Sequence, residues 1–344
     1  MNPDLAPRHK RRFLIAILAA AALAAGAYYF LNGGPGLKPA GPPEKVTIAY
    51  SATIDPVLAI VAQMRGYYRE EGLEATARLH TYGKLALQDV LEGKADFATV
   101  AETPVMFAIM KGEEIAVIAT IQVTSQNNAV IARKDRGIST FGDLRGRRIA
   151  ATLGTTSDYF LDAILAAQGI SRKDVTVLNL NAEEIPEALE RDDIDAASTF
   201  HPYIVFAQKK LGGNGITFYD KDIYTWTYNI AAKQESIRRN PEKVKKMLRA
   251  LIKAEEFVNR QPAEAQQIVA DFSGVEIAIV REVWAGSDFA VTLDQSLLLA
   301  LEDESKWAIE DRLTGGRAKI PNYLDFIYLE GLQSVKPKAV NILR

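Results

Sequence analysis

The sequence has 344 residues, of which 48% are hydrophobic and 24% charged, and this is enough for two lobes of ordinary domain size. Its net charge of −2 gives no global basic field, so we expect no nucleic-acid partner. The absence of cysteine excludes disulfides, thiolate metal sites and a Cys nucleophile, and with only 3 histidines a His-based metal site is not expected either, so the sequence predicts no cofactor.

The N-terminal residues 1–31 have the pattern of a signal or membrane anchor. Basic residues precede an uncharged run at 13–31, which as a helix would span about 28 Å, close to one bilayer core. Residues 25–27 resemble a signal-peptidase site, but the run continues through aromatic residues, so we favour a retained anchor over a cleaved signal peptide. Residues 32–44 are predicted to be a Gly/Pro linker, which places the folded part on the periplasmic side of the cytoplasmic membrane.

From Lys45 onwards, strand and helix patterns alternate in two copies about a hundred residues apart. The first copy has predicted strands at 46–50, 72–80 and 96–100, and the second at 147–152, 175–180 and 195–199. In the first copy, Asp55 followed by Pro56 is predicted to cap a helix. Strands that alternate with helices favour mostly parallel sheets covered by helices on both faces, so the fold class is α/β.

Two similar short strands, at 127–132 and 227–232, flank the second copy and are predicted to be hinge strands. We therefore predict a first lobe at 45–132, an inserted second lobe at 133–226, and a mostly helical return to the first lobe at 227–344. Helices are predicted at 241–260, from Pro262, and at 297–308.

The most suggestive stretch is the turn at 154–158, where a short apolar strand breaks at Gly154 into hydroxyl residues and a helix follows. Free N–H groups and the helix dipole at such a turn can hold an anion or another acceptor. The alternative is an ordinary helix cap.

An ordered set of motifs then resembles one family. The motifs are Gly66-Tyr67-Tyr68 with Glu71-Gly72-Leu73, residues 91–97, Gly137-Ile138 with residues 143–149, Gly154-Thr155-Thr156 with Tyr159-Phe160-Leu161, and Ile320-Pro321-Asn322-Tyr323. Their order resembles the extracytoplasmic substrate-binding proteins of ABC importers, in the branch for sulfonates, taurine, nitrate and thiamine-pyrimidine precursors (SsuA/THI5-like). The resemblance implies a type II periplasmic-binding-protein fold, a monomer whose two lobes close on a small organic or oxyanionic solute, and an ABC permease as partner.

Ligands of open α/β sheets bind beyond the C-terminal ends of the strands, so the facing loops of the two lobes predict the site. The candidate ligand-binding residues are Thr53, Tyr82, Thr99, Glu102, Asn127, Gly154, Thr155, Thr156, Ser157, His201, Tyr203 and Trp226. Residues 154–157 are expected to hold the acceptor end of the solute, and Glu102 and His201 the other end. An acid at Glu102 would repel a bare anion unless the solute also carries a donor or a cation.

Structural alternatives remain for these residues. The threonines could satisfy nearby backbone groups, Glu102 could pair with a neighbouring base, and the aromatic residues could belong to the core. Two other functions also stay open, namely a membrane-anchored solute sensor and an enzyme on the same scaffold. The sequence has no recognisable Ser/His/acid set, metal-ligand cluster or Cys-rich motif of the pyrimidine-synthesising relatives, so we predict a binding protein without catalytic residues.

Overall fold

The computed structural model describes residues 42–343, and the predicted N-terminal anchor therefore lies outside the described residues. Residues from Pro43 onwards form one compact unit. Between residues 42 and 343, no helix has the length and apolar character needed to cross a membrane.

The first sheet has six strands in the order β11-β4-β10-β3-β1-β2. They are β1 (Glu44–Ser51), β2 (Leu73–His80), β3 (Phe97–Ala101), β4 (Ile115–Thr124), β10 (Trp226–Lys233) and β11 (Ser287–Asp288). β1 pairs in parallel with both β2 and β3, whereas β10 runs antiparallel to β3 and β4. The near-continuous apolar sequence of β4 is explained by burial along almost its whole length, as expected for a strand covered on both faces.

The second sheet has five strands in the order β7-β6-β8-β5-β9. They are β5 (Asn128–Arg133), β6 (Arg148–Ala151), β7 (Thr176–Asn179), β8 (Ala196–Phe200) and β9 (Gly215–Phe218). β6 pairs in parallel with β7 and β8, and β5 is antiparallel to β8 and β9. The two sheets thus repeat one arrangement, three parallel strands followed by an antiparallel neighbour. A further short pair joins β12 (Leu293–Asp294) to β13 (Val340–Asn341).

Helices flank the sheets. They are α1 (Val57–Met64), α2 (Tyr67–Glu70), α3 (Gly83–Leu91), α4 (Glu102–Met110), α5 (Thr156–Ala167), α6 (Ile185–Glu190), α7 (Tyr203–Leu211), α8 (Gln234–Arg239), α9 (Pro241–Arg260), α10 (Pro262–Ser273), α11 (Ile277–Trp284), α12 (Gln295–Glu310) and α13 (Leu329–Val335). We call the first sheet with α1–α4 and α8–α13 the first lobe, and the second sheet with α5–α7 the second lobe.

Helix α9 shows how the sequence determines these elements. Asn240 caps it by accepting a hydrogen bond from the Lys243 backbone N–H at 3.0 Å, and Pro241 occupies its first position. Val244, Leu248 and Leu251 are buried along one face at helical spacing. The predicted bounds of this helix are confirmed.

The chain crosses between the lobes twice, at 125–127 and at 219–225. β10 belongs wholly to the first sheet, whereas β5 is hydrogen-bonded in the second. The predicted boundary after residue 132 therefore falls near the end of β5, later than the crossing, because the strand pattern does not reveal which sheet a strand joins. The position of the hinge itself stays a prediction.

Candidate ligand-binding cleft

A narrow cavity, whose empty space of about 360 Å³ includes open solvent at its mouth, lies between the two lobes. It is bounded by the loops after β1, β2 and β3, the start of α5, the end of β8, the first crossing and the start of β10. Its lining residues are Thr53, Asp55, Tyr82, Gly83, Lys84, Ala101, Pro104, Asn127, Thr155, Thr156, Phe200, Trp226 and Tyr228. The cavity is therefore where the sequence pattern predicted it, at the carboxyl ends of strands from both sheets.

A chain of hydroxyl groups leads to Asp55. Thr53 donates from Oγ1 to Asp55 Oδ2 at 2.7 Å, Ser51 Oγ lies 2.8 Å from Thr53 Oγ1, and Tyr228 Oη lies 2.6 Å from Ser51 Oγ. When Asp55 is ionised, Thr53 uses its one proton on Asp55, so Ser51 donates to Thr53 and Tyr228 donates to Ser51. The chain thus connects Oδ2 of Asp55 to strand β10.

The other oxygen of Asp55, Oδ1, has no hydrogen-bond partner among residues 42–343, although the side chain is buried. Burial raises the pKa of Asp55 to about 7, and the hydrogen bond from Thr53 opposes this shift. The sequence indicated Asp55 as a helix cap, and that prediction was wrong. No side chain caps α1, and the Asp55 carboxyl group instead turns toward Thr53.

Two further buried polar atoms of the cavity lining lack a partner within the described part of the chain. They are Oδ1 of Asn127, at the first crossing, and Nε1 of Trp226, at the start of β10. Unpaired buried polar atoms are rare in native proteins and call for an explanation such as a ligand.

Aromatic rings form much of the cavity wall. Tyr82 and Phe200 face each other from opposite lobes with ring centroids 6.4 Å apart, and Trp226 meets Tyr228 edge to face at 5.3 Å. Such rings supply flat apolar contact area around a few polar groups, the usual composition of a small-molecule site.

Gly83, the first residue of α3, allows this packing. A Cβ atom at this position would lie 2.8 Å from Tyr228 Oη and 3.0 Å from the Cα of Val100. Only glycine lets the N-terminus of α3 approach the hydroxyl chain so closely.

The turn at the start of α5 behaves partly as a cap and partly as cavity wall. Thr155 Oγ1 accepts from the Ser157 backbone N–H at 3.3 Å and donates to the Thr152 carbonyl at 2.6 Å. Ser157 is fully buried, and its Oγ accepts from the Thr152 N–H at 3.1 Å. Thr156 lines the cavity and accepts from Asn128 Nδ2 at 3.1 Å. Gly154 lines a neighbouring surface groove instead of the cavity.

Several hydrogen bonds join the two lobes across the cleft. Tyr82 donates to Asn181 Oδ1 at 3.0 Å, Tyr203 to the Thr81 carbonyl at 2.9 Å, and Lys84 Nζ to the Leu153 carbonyl at 2.7 Å. These contacts describe a closed arrangement. Tyr203 therefore lies in a bridge between the lobes and is not part of the cavity wall, contrary to its expected place.

Glu102 is not in the cavity lining, which corrects its expected role in reading the solute. Its side chain is fully buried, and Oε2 accepts from the Thr227 backbone N–H at 2.8 Å and from Thr227 Oγ1 at 3.0 Å. Tyr224 donates to its other oxygen and also lies 3.1 Å from Glu304 Oε1. Burial raises the pKa of Glu102 to about 7. The carboxyl group thus ties α4 to the second crossing.

Thr99 and His201 are likewise buried behind the cavity. Thr99 Oγ1 accepts from the Ser51 backbone N–H at 3.1 Å, so it holds the loop after β1. Burial lowers the pKa of His201 to about 4, and its ring stacks at 6.4 Å on Tyr219 of the second crossing. Its Nδ1 atom has no hydrogen-bond partner among the described residues, so contact of His201 with the solute stays a prediction beside the structural alternative.

Of the predicted residues, the structure brings together Thr53, Tyr82, Asn127, Thr155, Thr156 and Trp226 in the cavity wall. That these residues bind solute stays a prediction. Asp55, Lys84, Phe200 and Tyr228 were missed, although Asp55 and Lys84 occupy the very loops that were predicted to line the cleft. Among residues 42–343, no group of three His, Asp or Glu residues is arranged to hold a metal ion.

Comparisons with known proteins agree with this architecture. A Brucella abortus protein, named only as a binding protein, is 27% identical over 227 residues, which are 64% of this chain and 69% of that protein. The taurine-binding periplasmic protein of Escherichia coli is 26% identical over 217 residues, covering 61% of this chain and 65% of its own. The crystal structure of the periplasmic aliphatic sulphonate binding protein SsuA from Escherichia coli has a TM-score of 0.70 at 17% identity and covers 84% of this chain and 98% of its own.

The last comparison shows the periplasmic-binding-protein fold. A family model described as NMT1/THI5 like matches residues 55–265, which is more than half of the chain and includes both crossings and most of the cavity wall. The chain belongs to the NMT1/THI5-like family.

Proposed function

We propose that this protein is the extracytoplasmic solute-binding component of an ABC importer and captures a small solute in the cleft between its lobes. The observation that supports this most strongly is the cavity between the lobes, whose wall comes from both lobes and the first crossing. Closure of two lobes around a bound solute is a recognised hinge motion. The relatives named for taurine and aliphatic sulphonate binding support the same function.

We further propose that the protein acts as a monomer on the periplasmic side of the cytoplasmic membrane, held there by residues 1–31 and delivering its solute to an ABC permease. The basic residues before the uncharged run at 13–31 support this orientation. N-terminal sequencing of the exported protein tests the anchor, because a mature chain that begins near residue 28 would refute it.

We propose a binding role without catalysis. Asp55 is the one carboxyl group among the described lining residues, and His201 is buried behind the wall with its pKa lowered to about 4. Thr53 is hydrogen-bonded to Asp55 in the cavity wall, but among the described lining residues no His accompanies this hydroxyl and carboxyl pair. Turnover of a bound solute by the purified protein would contradict this proposal.

Closure of the lobes on a solute tests the proposed function directly. Because the sequence has no cysteine, introduced cysteines are the sole sites for spin labels. Cysteines introduced by Gln88→Cys in α3 and Glu187→Cys in α6 can carry spin labels on opposite lobes, because both positions are exposed. Gln88→Cys with Glu74→Cys, both in the first lobe, is the matched control. A panel of sulfonates, oxyanions, pyrimidines, aromatic acids and aromatic amides should include a solute that narrows the interlobe distance distribution and leaves the control unchanged.

Co-purification from native membranes separates an importer from a sensor. An ABC permease that co-purifies with the full-length chain supports the importer. A signalling protein in its place, together with closure on a solute, would support the alternative of a membrane-anchored sensor. Failure of every solute in the panel to change the interlobe distance would contradict the closing cleft itself.

A further inference from the structure

We propose that the solute is a flat, uncharged or cationic molecule that presents N–H donors to Asp55 and Asn127 and an acceptor to Trp226, and that it is not an oxyanion. This inference rests on the proposed function and specifies its solute. It starts from the three buried polar atoms of the cavity wall that have no partner among residues 42–343, namely Asp55 Oδ1, Asn127 Oδ1 and Trp226 Nε1.

The chemistry of these atoms determines what the solute must offer. The two oxygens accept hydrogen bonds, whereas the indole N–H of Trp226 only donates. A solute that satisfies all three therefore carries at least two donors and one acceptor. A primary amide has this combination, and so has an amino group next to a ring nitrogen. A buried polar atom left unpaired is destabilising, so a matching solute gains from each of the three contacts.

A bare oxyanion such as nitrate fits poorly because it brings only acceptors. It could pair with Trp226 but would place negative charge beside Asp55, and the two charges repel whenever that carboxyl group is ionised. Lys84 is the one Lys or Arg among the described residues of the lining. Its side chain is exposed, and Nζ already donates to the Leu153 carbonyl across the cleft. Partial desolvation lowers the pKa of Lys84, and one of its donors already joins the two lobes, so it is a poor clamp for an anion.

The walls determine the shape of the solute. Tyr82, Phe200, Trp226 and Tyr228 contribute rings from both lobes, and Tyr82 and Phe200 approach to 6.4 Å in the closed arrangement. Flat solutes gain contact with such rings through stacked or edge-to-face packing. A single aromatic ring with a small amide or amino substituent matches both the walls and the polar atoms.

Three molecules of nearly equal shape test the proposal, namely benzamide, benzamidine and benzoate. Benzamide offers two donors and an acceptor, benzamidinium offers donors with a positive charge, and benzoate offers acceptors with a negative charge. Calorimetric titration of the full-length chain should show binding of benzamide and benzamidine. Benzoate should bind at least about tenfold more weakly, since it lacks the donors and meets Asp55.

Two cavity variants separate recognition from folding. Asp55→Asn removes the charge but keeps a carbonyl acceptor, so it should weaken benzamidine roughly tenfold or more and benzamide less. Trp226→Phe removes the N–H and keeps a ring, so it should weaken benzamide and leave benzamidine unchanged. A general loss of folding would lower the affinities for benzamide and benzamidine together. The expected result differs, because Asp55→Asn mainly weakens benzamidine and Trp226→Phe weakens benzamide alone. Asp193→Asn, at an exposed position outside the cavity, is the control.

The proposed solute class would be overturned if benzoate, taurine or nitrate bound more tightly than benzamide and benzamidine. The proposed binding function would still stand. The same holds if the two Asp55 and Trp226 variants weaken all three molecules equally. If neither these molecules nor any member of the wider panel binds or closes the lobes, the proposed function fails as well.

Discussion

Trp307 of α12 donates from Nε1 to Oδ2 of Asp162 in α5 at 2.8 Å and so joins the two lobes outside the cavity. Its indole ring also meets Tyr159 of α5 edge to face at 5.2 Å, and Phe107 of α4 at 5.8 Å. Trp307 thus connects the two lobes although it does not line the cavity. We expect this contact to contribute part of the free energy of closure.

We therefore expect Trp307→Phe to favour the open form. The substitution keeps an aromatic ring but removes the hydrogen bond, which is worth about 1 kcal/mol net, or roughly a fivefold shift in the ratio of closed to open forms. Spin labels at Gln88→Cys and Glu187→Cys should report a wider interlobe distance distribution without solute. Trp284→Phe is the matched control, because Trp284 packs on Phe289 within the first lobe. Equal distributions in both variants would show that the Trp307 contact does not hold the lobes.

Glu102 and Glu304 share the hydroxyl group of Tyr224, and each is fully buried. Burial raises the pKa of both carboxyl groups, and for Glu304 the neighbouring Glu102 adds to the shift. A carboxyl group whose pKa is higher in the folded than in the unfolded chain binds more protons when folded. It stabilises the fold fully below the unfolded-state pKa, and this contribution is lost as the pH rises through the folded-state value.

Glu102→Gln should therefore reduce the loss of stability on going from pH 5 to pH 7.5. The amide oxygen can keep the hydrogen bonds from Thr227 while the amide nitrogen faces Tyr224. We expect the difference in unfolding free energy between the two pH values to shrink by ~1–3 kcal/mol, as measured by denaturant titration. Since Glu102 does not line the cavity, the order of solute affinities should stay the same. A changed order of solute affinities would show that Glu102 contributes to solute binding.

Thr155 and Thr156 are neighbours with different expected roles. Thr155 caps α5, so Thr155→Ala should lower the free energy of unfolding by about 1 kcal/mol. Thr156 makes no capping bond and lies in the cavity wall, so Thr156→Ala should weaken solute binding more than it lowers stability. Melting curves and calorimetric titration of the two single variants separate the roles. Unchanged affinity in both would make this turn only a helix cap.

The order of strands and helices could be predicted because periodic apolar patterns and caps are local. Helix α9 is an example, with Asn240 and Pro241 at its start and a regular apolar face. The sheet that β5 joins could not be predicted, because pairing with β8 and β9 depends on residues 63 to 90 positions away. Local sequence determines the strand but not its partner.

The same distinction applies to the site. The loops of the cleft could be predicted from strand order, but the direction of each side chain within them could not. Asp55 has the sequence context of a helix cap, yet contacts with Thr53, Ser51 and Tyr228 turn it to the cavity. Glu102 opens α4 beside the cleft, yet hydrogen bonds from Thr227 of β10 and Tyr224 of the second crossing hold its side chain outside the cavity lining. Both outcomes depend on residues distant in sequence.

The raised pKa of Asp55 predicts how solute binding depends on pH. In the solute-free cavity the carboxyl group has a pKa of about 7 because of burial. A solute that donates to Oδ1 stabilises the ionised form, so the pKa falls on binding and a proton is released between pH 5 and 7.

Benzamidine affinity should therefore rise with pH by up to about tenfold per unit below pH 7 and level off above it. Tyr228 and Tyr203, which lie near Asp55, have pKa values raised above 10 and stay neutral in this range, as does His201 with its pKa lowered to about 4. Partial desolvation lowers the pKa of Lys84 at the cavity mouth from its ordinary value, and Glu102→Gln leaves that residue unchanged as well. Calorimetry in buffers of different ionisation enthalpy counts the released proton directly.

Asp55→Asn should remove both the proton release and the pH dependence. Glu102→Gln removes the other buried carboxyl group with a pKa of about 7 and should leave both in place. If the pH dependence disappeared in Glu102→Gln and persisted in Asp55→Asn, the released proton would come from Glu102 and not from the solute site.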